Sequence, residues 1–476
     1  MSESSDLRLA DLLSSQSLAY YSWGTQTLWF SPFAAVTRRS PMLVLASIAA
    51  AGVGSWESEA EFRQTVSLLH ELVHYAQDIS TGVGHWDYVQ RLKVHKSLLT
   101  RARNNIVLGE RLIETDEARK NFTEAFGDSL YNAADLTRTA RAETIKRELM
   151  KEPTYHSGDG TEELLSIESI LEAEAVLQVY QTIRELRVTE TAQDILENNR
   201  ALFFPPAMAE LYYGVFVQIM HSIVQGAGDI AGLTAERLDK LFVMYLWLLD
   251  VCLAYPPPTY FNKTGRDPVD FLPGLKFMHL NRALTAGIDN SEASIIGERG
   301  AEETVLQLSG VKYPLSSEIY EQWIQYFGSE PAFEDDPIAV RRSKLCEQRL
   351  NGNYIFRPKD VQLLIEPNMP LFFSDGRTPA TNMVFRLSPD NIPGDASSQF
   401  DDFRAALLAH VRDMRLIQWF YLDRPFQCPI ARECRVARPN CASGLAAFSD
   451  LPDDPGCFVG TGLHRVGFSL RGRRRS

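Results

Sequence analysis

The spacing of apolar and polar positions divides the chain into a short strand-rich beginning and a long helical middle. Leu18 to Phe33 is aromatic and β-prone around a turn at Gly24, and Met42 to Ala46 is an apolar run of strand length. From Ser55 the period changes to that of helices. Helices are predicted over Ser55–Ser80, Trp86–Arg101, Glu162–Val188, Pro206–Val224, Ala235–Leu253 and Phe403–Trp419. The breaks fall at His156-Ser157-Gly158-Asp159-Gly160, at Tyr255-Pro256-Pro257-Pro258, at the acidic loop Glu334-Asp335-Asp336-Pro337, and in the Pro/Asp/Ser/Gly linker Leu387–Gln399. They predict a strand-rich segment over 1–54, a helical body over 55–350, a mixed segment and linker over 351–400, and a helix with a Cys- and Arg-rich module over 401–476. The expected class is α+β, mainly α-helical.

The first of these helices has a readable start. Ser58 and Glu61 have the spacing of a capping box. Phe62, Val66, Leu69, Val73 and Ala76 then recur at steps of four and three, one apolar stripe of an α-helix. Gly82, just past Ser80 and Thr81, is the expected stop.

On this helix lies His70-Glu71-Leu72-Val73-His74. Two histidines four apart project from one face, one turn apart, and can ligate a single tetrahedral Zn²⁺. Glu71 is displaced by about 100° around the axis. Its carboxylate is placed to reach a metal-bound water rather than the metal, and to act as general base and then acid. The motif resembles the His-Glu-x-x-His zinc metallopeptidases. The continuation Tyr75-Ala76-Gln77-Asp78-Ile79-Ser80 has neither the Gly nor the third His of one large branch. The resemblance is to gluzincins, and it covers about residues 41 to 180. It implies a zincin-like core, a peptide or protein substrate, and a third ligand that is a Glu on a later helix.

Glu168 and Glu172 lie one turn apart on a stripe that continues through Ala175 and Val179. Carboxylates on such a stripe are costly unless paired or metal-bound. Glu172-Ala173-Glu174-Ala175 fits the gluzincin pattern of Glu followed by small residues, which favours Glu172 as ligand; Glu174 is expected in solvent. The alternative makes Glu168 the ligand and Glu172 an acceptor from a ligand imidazole. Asp78, one turn after His74, is placed to orient it, to cap the helix or to face solvent. Tyr155, His156, Tyr212, Tyr213 and His221 are candidate oxyanion donors by chemistry alone.

Composition adds limits. A net charge of -13 argues against wholesale nucleic-acid binding. Phe403 to Ser476 departs from this average, with twelve Arg and no Lys against six acids, and reads as a solvated, flexible terminus or as an electrostatic handle for a nucleic acid or an acidic protein partner. The N-terminus lacks the basic and apolar regions of a secretory signal. The most apolar stretch, Pro41 to Gly54, is shorter than the roughly 20 residues of a membrane span. No membrane association and a reducing cytoplasm are expected. Cys428, Cys434, Cys441 and Cys457 are clustered among prolines and glycines, a candidate site for a second, structural Zn²⁺ or an iron–sulfur cluster. No C-x-x-C pair is present, and reduced buried thiols fit the same pattern. Cys252 and Cys346 are expected in the core. Two rivals to a peptidase remain: an inactive zincin-like or helical scaffold, and a zinc amidohydrolase acting on a non-peptide bond.

Overall fold

The computed structural model describes residues 19–22, 27–30, 48, 52–107, 155–156, 162–163, 167–198, 215, 218–220, 222–223, 235–288, 299–351 apart from 335, 372–374, 383–384, 457–465 and scattered positions from 405 to 428. Helix accounts for 83% of these, so the described part of the chain is mainly α-helical, as expected. Strands β1 (Ala19–Ser22), β2 (Thr27–Phe30) and β3 (Val53–Gly54) precede helices α1 (Glu59–Ser80) and α2 (Gly82–Val107). Strands β4 (Tyr155–His156) and β5 (Glu162–Glu163) lead to α3 (Ile167–Glu185), β6 (Arg187–Val188) and α4 (Glu190–Asn198). Helices α5 (Ala235–Leu253), α6 (Pro258–Thr264), α7 (Pro273–Ile288), α8 (Arg299–Leu308), α9 (Ser316–Ser329) and α10 (Pro337–Asn351) follow. Strands β7 (Phe372–Ser374) and β8 (Met383–Val384) and helix α11 (Phe458–Arg465) complete the described elements.

The hairpin expected around Gly24 is β1–β2. It belongs to a four-stranded sheet of order β1-β2-β7-β8, in which β2 and β7 run parallel. The 351–400 segment therefore contributes strands beside the N-terminal hairpin. The described positions of the helices expected over 206–224 and 403–419 are helical. Met42–Ala46 lies outside the described residues. The helix expected over Glu162–Val188 is shorter, because both of its ends are taken by ladders, β5 with β4 and β6 with β3.

Helix α1 begins as its sequence predicts. Ser58 is the N-cap, and its hydroxyl accepts from the Glu61 amide. The return bond differs: Glu61 Oε2 accepts from the Glu57 amide at 2.6 Å, one residue before the cap. Of the apolar stripe Phe62, Leu69 and Val73 are buried and Val66 and Ala76 partly so, and Leu68, Leu72, Tyr75 and Ile79 are buried as well, each at most 1% exposed. Helix α1 is thus enclosed on several sides, by β1, α2, α3 and α10. Each buried Leu or Phe here contributes about 1.5–3 kcal/mol.

The α1–α2 junction is not the glycine stop expected. Thr81 is extended, and its amide and hydroxyl both donate to Gln77 O. The same hydroxyl accepts from the Gly84 amide, so one threonine ends α1 and starts α2. Gly82 and Gly84 serve close approach rather than a left-handed turn. A Cβ on Gly82 would run into the Tyr255 backbone, and one on Gly84 into the carbonyls of Gln77 and Asp78.

Helix α3 packs against both α1 and α5. Helix α5 is the core helix, with Phe242, Tyr245, Leu248, Leu249 and Cys252 at most 1% exposed. Cys346 on α10 is equally buried, as expected. Among the described residues no single helix is long and apolar enough to cross a membrane.

Candidate metal centre

The short parallel ladder of β3 with β6 sets where α1 and α3 meet. Arg187 N donates to Gly52 O and Thr189 N to Gly54 O. Since β3 leads into α1 and α3 leads into β6, the start of α1 lies at the end of α3, and the helices run antiparallel. Gly54 pairs with Val188, and descending α3 by one turn raises the facing position on α1 by one turn. That register brings Glu172 opposite His70, with which it is bonded. The 97 residues of sequence between His74 and Glu172 are no obstacle, because loop-closure entropy grows only logarithmically with length.

His70 Nε2 lies 3.0 Å from Glu172 Oε2, His74 Nε2 lies 3.3 Å from Glu172 Oε1, and the two Nε2 atoms are 3.1 Å apart. The imidazole planes are nearly perpendicular, at 87°. Among the described residues these three are the one group of His, Cys, Asp and Glu whose ligand atoms converge in this way. Four donors about 2.0–2.1 Å from a zinc ion stand about 3.3–3.4 Å apart at tetrahedral angles, and the separations here, with each imidazole set against a different oxygen of Glu172, are of that size. Side-chain exposures of 20%, 10% and 22% leave the triad sheltered yet reachable. Burial alone would raise the pKa of Glu172. The interaction with His74, then the contacts with both imidazoles, outweigh it and hold the carboxyl well below its ordinary range.

Glu71 Oε2 accepts from the Tyr21 amide on β1 at 2.7 Å. The first strand thus runs against α1 at the motif, with a main-chain N–H directed at the motif carboxylate.

Asp78 does not orient His74. It is fully buried and is the hub of a charged frame. Its carboxylate accepts from the Tyr21 hydroxyl at 2.8 Å and from Arg342 Nη2 at 2.9 Å, with Arg91 Nη2 at 3.8 Å. Arg342 Nη1 also donates to the Asp78 carbonyl. Arg349, two turns further along α10, pairs with Asp250 at 2.6 Å and donates to Ser80 Oγ at 3.0 Å. His85 and Cys346 meet inside this frame at 3.0 Å. Arg342 can only donate, so His85 Nδ1, 3.5 Å away, faces it as an acceptor, and Nε2–H points to the thiol. Burial, then the charges of Arg342 and Arg349, push the His85 pKa down, and burial pushes the Cys346 thiol up to about 12. The pair is neutral and structural, not an activated nucleophile.

The residue that meets His74 is Gln77, which sequence reasoning passed over. His74 Nδ1 lies 2.8 Å from Gln77 Oε1. The Gln77 amide nitrogen donates to Leu171 O at 2.9 Å and to Glu174 Oε2 at 2.8 Å. Glu174 is only 2% exposed, which corrects the expectation of a solvated side chain. Burial, then the neighbouring Asp250 charge, push its pKa up to about 7. A signal existed: Gln77 is three residues past His74, on the same helical face, in a stretch otherwise destined for the core.

Glu168 is on α3, but its side chain lies outside the described residues. So do the side chains of Tyr155 and His156 and the whole of Tyr212, Tyr213, His221, Cys434, Cys441 and the arginine-rich terminus. Cys428 is half-buried; Cys457 is buried just before α11, where its sulfur accepts from the Gly460 amide at 3.5 Å. No family model, no curated protein and no solved structure matches the chain.

Proposed function

We propose that the protein is a zinc-dependent hydrolase of peptide bonds, with His70, His74 and Glu172 holding the ion and Glu71 acting as general base. The observation that carries this reading is the convergence of two imidazole nitrogens and a carboxylate from separate helices within 3.0 to 3.3 Å of one another. Such a set concentrates lone pairs at one point and calls for a cation there. One open side of the polyhedron is what distinguishes a catalytic site from a structural one. A Zn²⁺ ion held there would supply Lewis-acid polarisation of a carbonyl and lower the pKa of a coordinated water towards neutrality. Glu71 supplies the proton traffic, taking a proton from the attacking water on its carboxylate and returning it to the leaving amine. The Tyr21 amide restrains that carboxylate from one side.

The experiment is metal analysis with activity on an unstructured protein substrate. Wild type is expected to carry one zinc per chain, His70→Ala to lose it, and Glu71→Gln to keep the metal while losing hydrolysis by about 10²–10⁴-fold. A wild type without stoichiometric zinc, or a Glu71→Gln variant of full activity, refutes the proposal.

A further inference from the structure

We infer that Gln77 is the positioning residue of this centre: it holds His74 in the tautomer that carries its proton on Nδ1 and turns the Nε2 lone pair towards His70 and Glu172. The inference rests on the metal reading of the triad. Leu171 O is a main-chain carbonyl and can only accept, so the Gln77 atom 2.9 Å from it is the amide nitrogen. The same nitrogen reaches Glu174 Oε2 at 2.8 Å, a second acceptor fixing the same orientation. Gln77 Oε1 must then face His74, and a carbonyl oxygen can only accept, so Nδ1 is the protonated nitrogen. A neutral imidazole with Nδ1 protonated offers a ligand lone pair at Nε2 and nowhere else.

Glu174 anchors the arrangement from α3. Its two oxygens accept separately from Gln77 and Gln178, each at 2.8 Å. The carboxylate is thereby held with one oxygen against the Gln77 amide. The helix that supplies the ligand Glu172 thus also supplies, two residues later and on another face, the group that orients the support of His74. Both helices are committed to the site twice.

The test uses the full chain with Zn²⁺ alone, its affinity read by competition with a chromogenic chelator, and with Co²⁺ as a spectroscopic reporter of ligand geometry. Gln77→Leu keeps the volume and removes the acceptor. It is expected to weaken Zn²⁺ binding about 10–100-fold and to change the visible Co²⁺ bands. Gln77→Glu keeps an acceptor for Nδ1–H; its other oxygen, protonated, has one O–H in place of two N–H and donates to Leu171 O, giving up the bond to Glu174. It is expected to return the affinity to within about threefold of wild type and to restore the Co²⁺ spectrum. Unchanged affinity and spectrum in Gln77→Leu overturn the inference while leaving the metal reading intact. Equal losses in both variants assign Gln77 to packing and also overturn it. A wild type that binds neither ion overturns the metal reading and this inference together.

Discussion

Replacing Arg342 by Met tests whether the charged frame, rather than the metal centre, sets the stability of the region around α1. Arg342 is 1% exposed and makes two bonds to Asp78, one to its carbonyl and one to its carboxylate at 2.9 Å. Its guanidinium also lies 4.6 Å from the centre of the Tyr88 ring. Asp78, Asp87, Arg91 and Arg342 form a neutral set of two acids and two bases. Removing one partner of a buried pair costs about 3–5 kcal/mol, because the other is left charged and poorly solvated. Arg91, already 2.5 Å from Asp87, stands 3.8 Å from Asp78 and offsets part of the loss, and the Tyr21 hydroxyl remains. The expected cost is therefore near the lower limit, about 3 kcal/mol, a large share of the about 5–15 kcal/mol that holds a typical domain. Asp78→Asn unbalances the set in the opposite sense and is expected to cost a similar amount. The double variant restores neutrality and is expected to be about 2 kcal/mol less destabilised than the sum of the singles. Urea unfolding followed by tryptophan fluorescence and circular dichroism, with chelator present, measures all four proteins. A single variant within about 1 kcal/mol of wild type, or an additive cycle, refutes the reasoning. Because Asp78 makes no bond to His74, folded Asp78→Asn is also expected to retain zinc stoichiometry.

Two further outcomes follow from packing and burial. Gly84→Ala is expected to cost about 3 kcal/mol, since its Cβ would press into main-chain carbonyls of α1. Gly328→Ala on α9 faces open space and is expected to stabilise by about 0.5–1 kcal/mol; thermal melts distinguish the two. His95 is buried, and among the described residues neither ring nitrogen has a hydrogen-bond partner. Burial, then His410 and Arg91, push its pKa down to about 3. The unfolded chain takes up a proton there near pH 6.5 while the folded chain does not, so stability is full above that pH and falls as the pH drops towards 3. At pH 5.5 the loss from His95 is about 1.4 kcal/mol relative to pH 7.5. His95→Leu is expected to reduce the acid sensitivity of unfolding by that amount, and an unchanged difference between the two pH values would count against a neutral buried imidazole.

What could be read from the sequence was local. Ser58 and Glu61 announced the start of α1, and the i, i+4 spacing put His70 and His74 on one face, because caps and faces are decided within a few residues. Glu172 was legible as a carboxylate on an apolar stripe, a local anomaly with a physical cost. Its partnership with His70 depended on the β3–β6 ladder, two residues of pairing that no periodicity announces. Asp78 is legible only as a carboxylate fit to orient His74, cap the helix or face solvent, because its partner Arg342 is 264 residues away. Glu174 looked solvated because a glutamate among alanines carries no sign of which face will be covered. Its burial is decided by Gln77 and Gln178, which take both of its oxygens.

The threonine at the α1–α2 junction has a mechanical consequence. Both donors of Thr81 end on the carbonyl of Gln77, the residue whose side chain meets His74. Thr81 therefore ties the start of helix α2 to the turn that carries Gln77. The main chain of Gln77 thus takes part in the helix junction while its side chain meets His74.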